Sequence, residues 1–123
     1  MFTQFQTDYP DVLAFDAKGK ISADDYKTTL IPALEVAAQD HGKVGILIRF
    51  GPEFEGYTLS GLAEDAVFGL EHFNSFSRIA VVTDIGWIRK GMEVFAHLMP
   101  MPVKLFDAED VMPALAWLKD TGA

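Results

Sequence analysis

Along the chain, short apolar runs alternate with stretches whose apolar positions recur every three or four residues. The runs are Val12–Ala17, Val44–Phe50, Arg78–Thr83 and Val103–Phe106. Val44–Phe50 and Arg78–Thr83 are nearly all apolar, which predicts buried parallel strands, and Val12–Ala17 and Val103–Phe106 read as two further strands. Ahead of them, Phe2 to Gln6 predicts a weaker strand, turned by Tyr9-Pro10-Asp11. Lys18-Gly19-Lys20 reads as the end of the second strand. Gly51 to Thr58, with two glycines and a proline, reads as a loop.

The helical stretches follow in the gaps. Ser22 reads as an N-cap, with Asp24 and Asp25 in the first turn. Tyr26, Leu30, Leu34, Ala37 and His41 then form one stripe, ended by Gly42. Pro32 removes a ladder bond inside that helix and predicts a kink or a split. Three more helices are expected, from Ser60 to Phe73, Ile85 to Met99, and Glu109 to Asp120. Pro100 and Pro102 stop the second of these. Met112, Leu115 and Leu118 mark a stripe on the last. The order β-β-α-β-α-β-α-β-α predicts an α/β fold with a mixed, mostly parallel sheet of about five strands, the first antiparallel at one edge. Within the strands, Val44, Ile46, Ile48 and Phe50 oppose Gly45, Leu47 and Arg49, and Lys104 opposes Val103 and Leu105. One sheet face is thus less fully apolar, which suits helices gathered mainly on the other.

The 123 residues are the size of one domain, and no repeat or linker divides positions 1–123. Without cysteine, thiolate chemistry and Cys-ligated metals are out. Ten basic against eighteen acidic residues give a net charge of −8, so there is no basic footprint for nucleic acid. The first residues carry no leader pattern, and no apolar run reaches the ~18 residues of a membrane span. A cytoplasmic protein is the expectation.

Catalytic patterns are missing. His41, His72 and His97 show no metal spacing, and Glu93 with His97 reads as a surface pair one helical turn apart. None of Ser22, Ser60, Ser75 and Ser77 lies in a nucleophile elbow. No phosphate-binding glycine motif occurs; Gly51, Gly56 and Gly61 are spaced by five and read as turn residues. Glu53, Glu55, Glu64 and Asp65 cluster without an EF-hand or DxD pattern. The expectation is no enzyme, no cofactor and no metal. Ser60-Gly61 opens a helix, so Ser60 reads as an N-cap, with phosphorylation as the functional alternative.

What stands out is apolar excess. The helices after the second and third parallel-strand candidates carry apolar residues well beyond the stripe that covering one sheet face requires. Phe54, Tyr57, Leu62, Phe68, Trp87, Met92, Phe95 and Met99 are the candidate lining of an apolar ligand site between them. Gly51, Gly56, Gly61 and Gly91 read as hinges for those helices. Trp87 with Arg89 and Lys90 suits an anionic bilayer surface. Exposed apolar area makes a homodimer the default assembly.

The strings Arg78-Ile-Ala-Val-Val, Trp87, Pro102-Val-Lys-Leu-Phe and Ala114-Leu-Ala-Trp117-Leu118 resemble the SpoIIAA-like proteins of bacteria, relatives of the STAS and CRAL-TRIO superfamily. The resemblance covers essentially the whole chain and is most specific in its second half. It implies a βα superhelix with strands in sequential order and helices on one face. It implies no catalysis, and a lipid-like ligand under a movable helical lid. Classical anti-sigma-factor antagonists carry Asp-Ser-Ser-Gly at the corresponding helix start, phosphorylated on the second serine. Here Thr58-Leu59-Ser60-Gly61 keeps only the Ser-Gly pair. The alternative function implied is a STAS-type regulator switched at Ser60. A binding protein with peripheral contact at the inner membrane is the first.

Overall fold

The computed structural model describes residues 1–119, without the side chains at 66, 68–70, 73 and 95. Five strands form one sheet in the order β1-β2-β3-β4-β5. These are β1 (Phe2–Phe5), β2 (Val12–Ile21), β3 (Val44–Tyr57), β4 (Phe76–Thr83) and β5 (Val103–Phe106). β1 runs antiparallel to β2, and every other pairing is parallel. The expected α/β architecture, with sequential strands and an antiparallel edge, is what the chain adopts.

The helices are α1 (Ala23–Asp25), α2 (Ile31–His41), α3 (Leu59–His72), α4 (Gly86–Ala96) and α5 (Val111–Lys119). A π-helical turn, Tyr26–Leu30, joins α1 to α2 and ends just before Pro32. The proline cannot donate to the preceding turn, and the wider π turn is where the helix takes up that loss. It also carries Tyr26 and Leu30 into the core, both essentially fully buried. His41, expected on the same stripe, is exposed.

The alternation in the strands separates two cores. Phe15, Ile46, Phe50, Phe76, Ile79 and Val81 point toward α2 and α4. Val12, Ala14, Leu47, Ala80 and Val82 point toward α5 alone. Helices on the first face and one on the second account for the weaker apolar phase of β3 and β5. Gly45 belongs to that second face because α5 lies close: a Cβ there would sit 3.4 Å from Leu118. On this face cations lie over aromatic rings, Arg49 over Phe5 beside β2 and Arg78 over Trp117 of α5. Arg49 also pairs with Asp16, its register neighbour on β2, through two hydrogen bonds. Such fork-to-fork pairs fix geometry as well as charge.

Three boundaries differ from the expectation. The Gly51–Thr58 segment is strand, not loop: β3 runs on to Tyr57 and pairs Phe54, Gly56 and Tyr57 with Gly19, Lys20 and Ile21. β2 correspondingly passes through Lys18-Gly19-Lys20. The register slips there, and Gly19 takes φ +63°, which glycine adopts without strain. α4 stops at Ala96, three residues short of Met99. In α5, Met112 is exposed, and the buried face is Ala114, Leu115 and Leu118. Asp120, the expected end of that helix, lies outside the described residues.

Candidate functional site

Between the α3–α4 side and the sheet lies a cavity of about 220 Å³. Its floor is β3 and β4, through Ile46, Ile48, Phe50, Phe76, Ile79 and Val81. Gly91 and Met92 of α4, and Met99 beyond it, close one side. For scale, an apolar cavity of about 150 Å³ takes up benzene. The two thioethers adapt to the shape of whatever fills such a space.

Among the described residues two polar ones interrupt this apolar wall, Tyr57 at the end of β3 and Asp65 on α3. Tyr26, fully buried on the π turn, donates its phenol proton to Asp65 Oδ1 at 2.5 Å. The phenols of Tyr26 and Tyr57 also lie in hydrogen-bonding contact. Burial first, and the Asp65 charge after it, holds Tyr57 far above the ordinary phenol range, so it stays protonated. Burial also raises the Asp65 carboxyl above the ordinary carboxylate range, against the lowering effect of the Tyr26 bond. As a residue Asp65 keeps an open side to water, which limits the shift.

A carboxyl with a raised pKa holds its proton more tightly in the folded chain than in the unfolded one. Its stabilising proton is therefore lost as pH rises from about 4 upward, and stability falls over that interval. Asp65→Asn keeps an acceptor for Tyr26 and carries no charge. Its melting temperature is expected to match or exceed the native value at pH 7, with the difference shrinking toward pH 4. A variant less stable than native at pH 7 by several degrees would show that the carboxylate is stabilising, against this reading.

The candidate lining residues fall in different places. Tyr57, Met92 and Met99 are on the cavity wall. Phe54 is buried one layer beyond it, its ring 4.8 Å from Phe50 and 5.6 Å from Tyr57. Trp87 stacks at 6.0 Å on the outer side of Phe54 and is 61% exposed. Leu62 faces outward from α3. The side chains of Phe68 and Phe95 lie outside the described residues. The sequence groups Asp65 with Glu53, Glu55 and Glu64, and of these four it is Asp65 that lines the cavity. Glu53 instead pairs with Lys18 at 3.4 Å. Among the described residues no three metal-ligating side chains converge.

The start of α3 is built around Thr58. Thr58 Oγ1 accepts from the Gly61 N–H at 3.0 Å, the bond an N-cap makes. Ser60 is thus inside the first turn, exposed, with its hydroxyl 3.0 Å from Thr58 Oγ1. Gly61 is no hinge: a Cβ there would lie 2.1 Å from the Ile21 carbonyl oxygen. At the start of α4, Arg89 is turned inward. Its Nη1 donates to the carbonyls of Thr83 at 2.7 Å and Phe106 at 3.2 Å, and it lies 3.5 Å from Asp107. Lys90 and Trp87 are exposed.

No helix among the described residues is long and apolar enough to cross a membrane. No curated protein sequence matches the chain. A solved structure, an uncharacterized protein of the DUF3478 family from Shewanella loihica PV-4 with a SpoIIAA-like fold, superposes with a TM-score of 0.74 at 28% identity. The match covers 96% of this chain and 92% of that one. The SpoIIAA-like family model matches residues 12–119, which span the sheet from β2 to β5, the cavity and α5. With fold and family model in agreement, the chain belongs to the SpoIIAA-like family.

Proposed function

We propose that this protein is a non-catalytic binding module that holds an apolar, lipid-like small molecule between the sheet and the α3–α4 side. The observation that carries this reading is the cavity itself, whose wall among the described residues is apolar except for Tyr57 and Asp65. Apolar cavities of this kind bind apolar molecules because they hold no ordered water that must be displaced at a cost. The same helices expose Leu59, Leu62, Val67, Trp87 and Val94, and the turn after α4 exposes Leu98. Apolar area of that extent, beside Lys90, favours contact with an anionic membrane from which such a ligand could be taken. Arg89 is committed to strand carbonyls, so the patch has one fewer free cation than its sequence suggested.

Native mass spectrometry of freshly purified protein tests the reading, since it reports retained ligand and subunit number together. A co-purified apolar molecule is expected. Bare protein that also fails to take up any apolar probe would overturn it. For the membrane, co-sedimentation with anionic vesicles at low salt should weaken in a Trp87→Ala, Lys90→Glu variant. Equal sedimentation of variant and native protein would remove that part.

A regulatory reading has one observation in its favour. The Ser60 hydroxyl is exposed in the first turn of α3, where helix N–H groups and the dipole stabilise a phosphate. Ser60→Asp is expected to keep the native melting temperature within about 2 °C, since exposed surface changes stay within roughly 0.5 kcal/mol. If phosphorylation at this turn controls a protein partner, the same variant loses that partner. Retained binding would leave Ser60 as ordinary surface.

A further inference from the structure

Among the described residues, Asp65 is the one charged group on the cavity wall. One carboxylate oxygen accepts the Tyr26 proton. Among the described residues no other hydrogen-bond donor reaches its carboxylate, and no cation lies within ion-pairing distance. A carboxylate at the edge of an apolar space, satisfied on one side only, is set to accept a donor from whatever enters. Its residue also keeps contact with water, which places it at the rim rather than at the bottom. Ile46, Phe76 and Ile79 lie on the sheet beneath.

We propose that the cavity selects a chain amphiphile whose head is a hydrogen-bond donor, a primary ammonium above all, seated on Asp65 with its apolar chain against β3 and β4. This rests on the binding reading above and adds the chemistry of the head. An ammonium brings both a donor and the opposite charge, and bonds of that kind are about twice as strong as neutral ones. A hydroxyl brings the donor only. A carboxylate head would face a like charge and could stay only if one of the two acids took up a proton. Tyr57, a protonated phenol on the same wall, offers the head a second polar contact.

Octylamine, octanol and octanoate share one chain and differ only at the head. Titration calorimetry at neutral pH is expected to rank them in that order, with octylamine at least about tenfold tighter than octanoate, the size of a charge-assisted bond lost. In Asp65→Asn, octylamine should lose at least about tenfold and with it its lead over octanol. Octanoate binding as tightly as octylamine to the native protein would overturn the head assignment and leave the cavity reading intact. So would an unchanged octylamine affinity in Asp65→Asn. If none of the three binds, both fall. The native-protein ranking holds whatever the variant does, and the variant's melting curve shows whether it is folded.

Discussion

Gly61→Ala is expected to lower the melting temperature by roughly 10 °C, the equivalent of about 3 kcal/mol in a domain of this size. In the interior of a helix the same change normally stabilises by about 1 kcal/mol, because alanine restricts the unfolded chain and suits the helix. Here the added Cβ would lie 2.1 Å from the Ile21 oxygen, 2.9 Å from its carbon and 3.2 Å from Ser22 Cα. All three are backbone atoms, so no side chain can rotate away. Nor can the carbonyl retreat, since the Thr58 N–H donates to it at 2.9 Å and Thr58 Oγ1 lies 3.3 Å from it. The helix must lift instead, and with it Asp65 from the Tyr26 phenol. Gly91→Ala is the control. Among the described residues, nothing beyond Gly91's chain neighbours and its own helix backbone lies within 4 Å of a Cβ there, so that variant should be as stable as native or more so. Differential scanning calorimetry of the pair decides it, and a Gly61→Ala variant that melts like native would refute the close approach.

That contrast also shows what the chain discloses by itself and what it does not. Val44–Phe50 and Arg78–Thr83 are legible as strands because burial on both faces writes itself into every residue. The two-faced phase of β3 is legible too, since Gly45 and Arg49 stand where only one helix covers the sheet. The extension of β3 is not. Gly51, Pro52 and Gly56 are turn residues by local chemistry, and only the pairing of Phe54, Gly56 and Tyr57 with Gly19, Lys20 and Ile21, more than thirty positions earlier, carries the strand past them. Ser60 looks like the cap because Ser-Gly starts many helices. Thr58 takes the role because its oxygen sits three residues before Gly61, the one residue that fits against Ile21. Asp65 is hidden for a similar reason. Among eighteen acids on an acidic protein it looks like solvated surface. Its meaning comes from Tyr26, thirty-nine positions away and delivered by a π turn whose only local trace is Pro32.

Thr83→Val should cost about 2 kcal/mol, a fall of roughly 8 °C, although the two side chains have nearly the same shape. Thr83 ends β4 and is fully buried, the one buried polar residue among those described. Its hydroxyl donates to the Phe50 carbonyl at 2.9 Å and accepts from the Ile85 N–H at 3.0 Å. The first bond ties β4 to β3 at the aromatic end of the cavity floor, where Phe50 meets Phe54. The second fixes the turn into α4, the helix that carries Gly91 and Met92 to the cavity. Valine keeps the methyl packing and removes both bonds, so the buried Phe50 carbonyl and the half-buried Ile85 N–H each lose that partner. Thr83→Ser makes the opposite cut: it keeps both bonds and deletes one buried methyl, at about 1 kcal/mol. Hydrogen bonding therefore ranks valine as the more damaging change, and packing alone ranks serine so. Thermal denaturation of the two variants separates the cases. If Thr83→Val melts above Thr83→Ser, the hydroxyl is not what holds α4 to the sheet, and the cavity's helical side must be positioned by its apolar contacts through Ile88 and Met92.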